Sequence, residues 1–240
     1  MKITECPWEI ANLGCRVAEI QCDTLMELDE DKLHQVESNH DYIVVKVPMR
    51  QFGLNDRLGQ LGYTMVETQI SLNNTLHKLR THQQFLDLLG DVVVEKIQTE
   101  DEKDLIIAQM TENMFSTDRI YLDPQFGPSK MLLRYRNWTN SEFINGSDLS
   151  KIIVNGEIVG FMLTKKDGKV MHGLLGGLFE KYQDQGIGIV IPMYVTLIQE
   201  DISRYETKIS SNNIPVIQLY DQCGYKISNL EYVFVKHIKS

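Results

Sequence analysis

The most constraining feature of the sequence is an Asn-Gly pair set between two apolar runs in the last third of the chain. The pair is Asn155-Gly156, within KIIVNGEIVGFMLT. Both residue types tolerate the left-handed backbone of a two-residue hairpin turn, so the segment predicts two antiparallel strands. A third strand, KVMHGLLGGL, follows Gly168. We therefore expect this part of the chain to be built on a sheet.

The other segments alternate between strand and helix patterns, which predicts a mixed α/β fold. Residues 1–89 form the first predicted domain, with helices over 23–38 and 49–61 and strands over 42–47 and 63–72. A polar linker is predicted over 73–90. The second domain, residues 90–240, has a strand over 92–98 and helices over 100–115 and 130–143 before the hairpin. After the third strand come an apolar helix over 187–198, a strand, a short helix and a final strand over 231–238. We expect this final strand to end the sheet or to pair with a partner in a homodimer.

The charge balance excludes some classes of partner. Lys and Arg number 24 against 33 Asp and Glu, a formal net charge of -9. Binding to nucleic acid or to an anionic membrane needs a basic surface, so we expect neither. No apolar run is long enough to span a bilayer, and the start of the chain does not read as a signal peptide. The four cysteines lack metal-binding spacing, so we expect a cytoplasmic protein without a metal.

A glycine-containing loop carries the clearest chemical signal. Gln183-Asp184-Gln185-Gly186-Ile187-Gly188 follows the glycine-rich strand and precedes the apolar helix. Glycines let the backbone turn so that the first amides of the helix point outward, and such amides bind phosphate or pyrophosphate. The alternative is a plain strand-to-helix turn. The loop is not the dinucleotide-binding GxGxxG, because Ile191 stands at the third glycine position.

The Q-x-x-G-x-G pattern resembles the acyl-CoA pyrophosphate loop of the GCN5-related N-acetyltransferase (GNAT) superfamily. The run ISSNNIPVIQLYDQCGYK resembles the closing element of the same superfamily, through Asn213, Leu219-Tyr220 and Gly224-Tyr225. This resemblance implies a splayed central sheet, acetyl-CoA as cosubstrate and Tyr220 as general acid. The cosubstrate contacts that it implies are Leu178, Gln183, Asp184, Gln185, Gly186, Ile187, Gly188, Asn213 and Leu219. Backbone amides near Leu178 would polarise the thioester carbonyl.

The residues themselves leave another role open for Tyr220. Val216, Leu219, Tyr220 and Cys223 share one face of a helix, so Tyr220 should point inward. A buried tyrosine that only satisfies one hydrogen bond is the alternative to a catalytic acid.

The N-terminal half narrows the resemblance. ECPWEIANLGCRVAEI, LGYTMVETQISL and RIYLDPQFGP resemble segments of the TDP-fucosamine acetyltransferase type of GNAT protein. This likeness implies two GNAT-like units, the first incomplete, and an amine acceptor on a nucleotide-linked sugar. Arg119 and Arg134 would hold the diphosphate, and Tyr121 and Trp138 would stack on the base or the sugar of that acceptor. A solvated helix face is the alternative for these arginines.

Two other functions stay open. The acceptor is alternatively a small-metabolite amine, an amino acid or a protein N-terminus. The chain is alternatively a CoA-binding or interaction module without catalysis, since Pro192 and Glu180 depart from the family pattern. Candidates for a general base are Glu180, Asp118 and His172.

Overall fold

The computed structural model describes residues 1–75, 90–198 and 201–238. Its strands form one mixed sheet in the order β1-β2-β3-β10-β4-β9-β8-β7-β6-β5. They are β1 (Lys2–Glu5), β2 (Val17–Gln21), β3 (Tyr42–Pro48), β4 (Thr64–Thr75), β5 (Val92–Lys96), β6 (Asp148–Val154), β7 (Glu157–Asp167), β8 (Val170–Leu178), β9 (Arg204–Ser210) and β10 (Lys226–His237). The mixed α/β class predicted from the sequence is confirmed.

Helices cover both faces of the sheet. They are α1 (Glu9–Leu13), α2 (Glu30–Asn39), α3 (Phe52–Gln60), α4 (Glu100–Ala108), α5 (Arg119–Leu122), α6 (Gly127–Ile144), α7 (Val190–Leu197) and α8 (Ile214–Gln222). At several helix starts a side chain accepts a hydrogen bond from a backbone amide that would otherwise be unpaired; these side chains are Asp29, Thr99 and Asn213. Helices α7 and α8 pack on one face against strands that include β4 and β6, while α4 and α6 pack on the other.

The hairpin between β6 and β7 forms where the Asn-Gly pair predicts it. Asn155 and Gly156 have φ angles of 52° and 81°, the left-handed values of the expected turn. Other predicted boundaries were wrong. The helix expected over 23–38 is a 3₁₀ turn at Leu25–Glu27 followed by α2, and the helix expected over 100–115 ends at Ala108. Strand β4 continues through the predicted start of the linker to Thr75. Residues 76–89, where we predicted the rest of the linker and the domain boundary, lie outside the described residues.

The two halves of the chain share the sheet. Strand β4, from the first half, lies between β9 and β10, and it is antiparallel to both. The final strand is therefore interior, paired with β3 on one side and β4 on the other. The expectation that it ends the sheet or meets a partner was wrong, because β4 and β3 occupy both of its edges. A homodimer stays a prediction without this support.

The sheet opens between β8 and β9. These strands are parallel, and their pairing ends at Gly173 and Thr207. The Thr207 hydroxyl donates a hydrogen bond to the Gly173 carbonyl at 3.0 Å. On its other edge β8 has a bulge at Leu174, between the pairs Leu163–Leu175 and Thr164–Gly173. The splay expected of the sheet is confirmed. The bulge at Leu174 precedes the paired glycines Gly176 and Gly177 on the same strand.

Gly173 allows the strands to meet at the vertex of this opening. A Cβ atom at this position would lie 1.9 Å from the buried Tyr205 hydroxyl. The tyrosine ring therefore fills the space that a side chain would need.

We predict that Gly173→Ala lowers the free energy of unfolding by about 1–3 kcal/mol, because the added methyl group overlaps Tyr205. Gly177→Ala is the matched control on the same strand, since its Cβ would meet nothing closer than 3.7 Å. Denaturant unfolding of both variants measures the difference. Equal stabilities would contradict the close approach of Tyr205 to Gly173.

Candidate active site

The opening between β8 and β9 continues into a cleft of about 1670 Å³. Helix α8 lines it through Leu219 and Tyr220, and strand β4 lines it through Glu67 and Gln69. Trp138 of α6 lies on its wall as well. The cleft therefore connects both faces of the sheet, with room for an elongated ligand and a second molecule.

The loop between β8 and α7 presents a row of unpaired backbone amides. Residues 184–189 donate no backbone hydrogen bond to any residue that the structure describes, and the first helical bonds are those of Val190 and Ile191 to Ile187 and Gly188. Asp184 and Gly186 take left-handed φ angles of 61° and 77°, so the backbone of the loop turns at both residues before the helix begins. Such a run of amides ahead of a helix is suited to bind phosphate groups.

Six of the nine predicted cosubstrate contacts line the cleft. They are Leu178, Gln183, Asp184, Gly188, Asn213 and Leu219. Gln185, Gly186 and Ile187 belong to the same loop but lie outside the lining of the cleft. The Asn213 side chain is occupied, because it accepts from the Val216 amide at 3.3 Å. Leu219 packs on Gly188, where a Cβ would lie 3.1 Å from Leu219 Cδ1.

The amide of Leu178 faces the opening. Phe179 donates its amide to Val159 of β7 at 2.8 Å. Because amide directions alternate along a strand, the preceding amide points to the other edge of β8, where β9 is absent. The Leu178 carbonyl confirms this direction, since it accepts from Gln183 Nε2 at 3.2 Å. This amide is the donor that the sequence suggested for a developing oxyanion.

Tyr220 lies at the vertex of the opening. Its side chain is buried at 4% exposure and still lines the cleft. Burial raises the pKa of Tyr220 to about 12, and the neighbouring hydroxyls of Tyr205 and Thr207 limit the rise. The inward orientation expected for Tyr220 is confirmed, and the hydroxyl is protonated at neutral pH.

The two arginines predicted to hold a diphosphate are paired with buried carboxylates. Arg134 Nε lies 2.7 Å from Glu9 Oε1, and Arg119 Nη1 lies 3.5 Å from Glu67 Oε1. The cleft as a whole is lined by seven Asp and Glu side chains against four Lys and Arg. Away from the unpaired amides of residues 184–189, the charge of the cleft therefore suits a cationic group better than a second diphosphate.

The two predicted aromatic contacts lie in different places. Trp138 lines the cleft beside Tyr135, whose ring centroid is 6.1 Å away. Tyr121 packs against the apolar core under α6 and does not line the cleft. Of the pair, only Trp138 is placed to contact an acceptor.

Of the three general-base candidates from the sequence, Asp118 and His172 line the cleft and Glu180 does not. Glu180 is exposed, outside the cleft, and bound by Asn113 at 2.7 Å, and hydrogen bonds from Asn113 and Thr111 lower its pKa. Both carboxyl oxygens of Asp118 are occupied, by the Ile120 amide and the Tyr135 hydroxyl. His172 precedes the opening on β8 and lies 3.6 Å from Glu206.

Sequence reasoning missed Glu67. This side chain of β4 is buried at 6% exposure and lines the cleft. It accepts hydrogen bonds from Arg119 and from the hydroxyl of Ser210 on β9. The alternation of Glu67, Gln69 and Ser71 marked a polar strand face, but no local pattern shows that β9 lies beside it.

Among the residues that the structure describes, no group of three or more His, Cys, Asp or Glu side chains is arranged to hold a metal ion. No helix within the same residues is long and apolar enough to cross a membrane.

The fold is similar to several solved structures. One is a conserved protein of unknown function from Staphylococcus epidermidis, at 15% identity and TM-score 0.63 over 97% of this chain and 88% of that one. A GCN5-related N-acetyltransferase from Sphaerobacter thermophilus is 14% identical at TM-score 0.59, over 88% of this chain and 64% of that one. A tandem GNAT protein from the clavulanic acid biosynthesis pathway is 10% identical at TM-score 0.53, over 88% and 68%.

No family model matches the sequence, and no curated protein does either. The structural likeness shows that the chain has the fold of GCN5-related N-acetyltransferases. At these identities the likeness concerns the fold, and the chemistry must be argued from the cleft.

We predict that Gly186→Val weakens acetyl-CoA binding about tenfold or more, because a β-branched residue avoids the left-handed backbone and would turn the loop amides apart. Gly168→Val is the matched control, since Gly168 also has a positive φ with open space around it, in the turn between β7 and β8. Calorimetric titration of both variants measures the affinity. Equal losses in the two variants would contradict phosphate binding by the loop.

Proposed function

We propose that the chain is an acetyl-CoA-dependent N-acetyltransferase that acts on a primary amine within a ternary complex. The observation that carries this proposal is the row of unpaired amides at 184–189 beside an opening between parallel strands that also holds Tyr220. The amides would bind the pyrophosphate of acetyl-CoA, and the opening would admit its pantetheine arm. The chain's fold supports the same conclusion.

Bound acetyl-CoA supplies an acetyl group activated as a thioester. The unpaired edge of β8 directs the Leu178 amide at the carbonyl oxygen, where it would stabilise the negative charge that develops during attack. The amine nitrogen forms a bond to the carbonyl carbon, and the carbon–sulfur bond breaks. Tyr220, whose hydroxyl is protonated at neutral pH, would give its proton to the departing sulfur.

The acceptor that the cleft supports best is a small, cationic amine. A nucleotide-linked amino sugar would bring two negative phosphates to a site whose arginines are already paired with Glu67 and Glu9. A small amine meets an acidic cleft with Trp138 on its wall. The amino-sugar acceptor and a cytoplasmic location stay predictions from the sequence.

Two assays test the proposed function. Acetyl-CoA should raise the melting temperature, because a ligand that binds only the folded protein stabilises it by mass action. Free thiol should then be released when an amine from a fixed panel of lysine, spermidine, glucosamine and phenethylamine is added. Binding without thiol release would favour the non-catalytic module, and absence of binding would overturn the proposal.

We predict that Tyr220→Phe lowers kcat by roughly 100-fold and leaves the Kd of acetyl-CoA unchanged, because only the proton donor is lost. Tyr225→Phe is the control within the same aromatic cluster, since its hydroxyl donates to the Pro192 carbonyl at 2.8 Å. Its kcat should stay near the wild-type value. Unchanged turnover in Tyr220→Phe would remove this residue from the mechanism.

The pH dependence provides a separate prediction. Activity needs protonated Tyr220, and burial raises the pKa of this group from 10.0 to about 12. The protonated form therefore persists to higher pH than for an exposed tyrosine, and activity is lost only as pH rises through about 12. We expect kcat to show no decline at pH 10, and a half-maximal rate there would contradict the buried acid.

A further inference from the structure

We propose that Ser210 and Glu67 form the path by which the acceptor amine loses its proton, with Glu67 supplied by the first half of the chain. The inference rests on the proposed transferase function, and it assigns the group that accepts the proton of the amine, for which the proposed function names no residue. Ser210 would contact the amine, and Glu67 would act through Ser210 as a positioning and proton-accepting residue.

Ser210 lies where the acceptor must approach. Pairing between β8 and β9 stops at Thr207, so residues 208–210 of β9 border the opening on one side. Residues 174–178 of β8 border it on the other side. Ser210, Glu67 and Tyr220 all line the same cleft. The thioester would lie between the two strand edges, within reach of an amine held at Ser210.

The hydrogen bonds around Ser210 leave it one free acceptor position. Its hydroxyl donates to Glu67 Oε2, and its oxygen accepts from the Asn212 amide at 3.1 Å. A serine hydroxyl has one donor and two acceptor positions. The remaining lone pair can accept a proton from nitrogen while the serine proton is already directed at a carboxylate.

Glu67 is held in place by the elements around it. It pairs across the sheet with Val233 of β10, and its other carboxyl oxygen, Oε1, faces Arg119 Nη1 at 3.5 Å. The titratable groups beside Arg119 are Tyr42, Asp118 and Tyr135. Arg119 therefore balances the charge of Glu67 within the buried wall of the cleft, and it need not contact a substrate phosphate.

The proton steps balance. The ammonium group first gives one proton to water, and the neutral nitrogen then bonds to the carbonyl carbon while its next proton passes to Ser210 Oγ and the serine proton passes to Glu67. When the carbon–sulfur bond breaks, its electron pair goes to sulfur, which takes the proton of Tyr220. Glu67 afterwards releases its proton to water, and Tyr220 regains one from water. Each residue returns to its starting state.

The test compares Glu67→Gln, Glu67→Ala and Ser210→Ala with a matched control, Glu231→Gln. Glu231 is a buried carboxylate on the adjacent strand, paired with Lys208 at 3.8 Å, and it does not line the cleft. Thiol release is measured with the best amine of the panel, and the acetyl-CoA Kd and the melting temperature are measured for every variant. Sodium formate is added to Glu67→Ala as an external base.

We expect Glu67→Gln and Ser210→Ala to lose roughly 100-fold in kcat with the acetyl-CoA Kd within about twofold of wild type. Glu231→Gln should keep its kcat. Formate should restore Glu67→Ala in proportion to its concentration and leave the wild type unchanged, which a merely structural role would not produce. Ser210→Thr retains the hydroxyl and should keep most of the activity.

Suppose that the wild-type chain transfers acetyl. An undiminished kcat in Glu67→Gln would then overturn the proton path and leave the transferase function intact. A loss of activity in a folded Glu67→Ala that formate does not relieve would do the same. A wild-type chain that transfers acetyl to no amine of the panel would overturn both proposals. Melting temperatures separate unfolded variants from inactive ones. If Glu67→Ala fails to fold, the result for Glu67→Gln, which preserves the side-chain size, decides the test.

Discussion

The end of pairing between β8 and β9 is the constraint on which the rest of the structure depends. Beyond Gly173 and Thr207 each strand keeps a row of backbone groups without a neighbouring strand. Unpaired backbone groups are costly when buried, so the opening must be hydrated or filled by a ligand. Tyr205 packed under Gly173 closes the vertex, and the Leu178 amide faces the space above it. A polar, shaped gap within an otherwise continuous sheet is the result.

Charge within the cleft is arranged around buried pairs. Breaking a buried ion pair leaves an uncompensated charge, which is strongly destabilising. The ion pairs of Arg119 with Glu67 and of Arg134 with Glu9 should therefore stay intact. An acceptor would contact a surface on which these two positive charges are already balanced. The excess of carboxylates that remains favours an ammonium group over a phosphate. Under the proposed function, specificity for the acceptor would then depend on these carboxylates and on Trp138.

The sequence predicted the parts of the fold that depend on neighbouring residues. Asn155-Gly156 specifies its hairpin because few residues accept that backbone, and the helical spacing of Val216, Leu219, Tyr220 and Cys223 predicts α8 and its inward face. The pairing of strands that lie far apart in the chain could not be predicted from the sequence. The insertion of β4 beside β9 joins Gln69 to Ser210, and no local periodicity encodes that register. For the same reason the arginines were recognised and their partners were not, since Glu9 lies 125 residues from Arg134.

The position of β4 also governs how this chain reaches its native state. Both neighbours of this strand, β9 and β10, follow it in the chain only after the whole of β5 to β8 and are therefore synthesised later. The N-terminal half therefore waits during synthesis with a strand whose hydrogen-bonding edges are open, and long-range pairing of this kind is slow. Once β10 is inserted between β3 and β4, neither half can unfold without disrupting the other, so the molecule should melt as one cooperative unit.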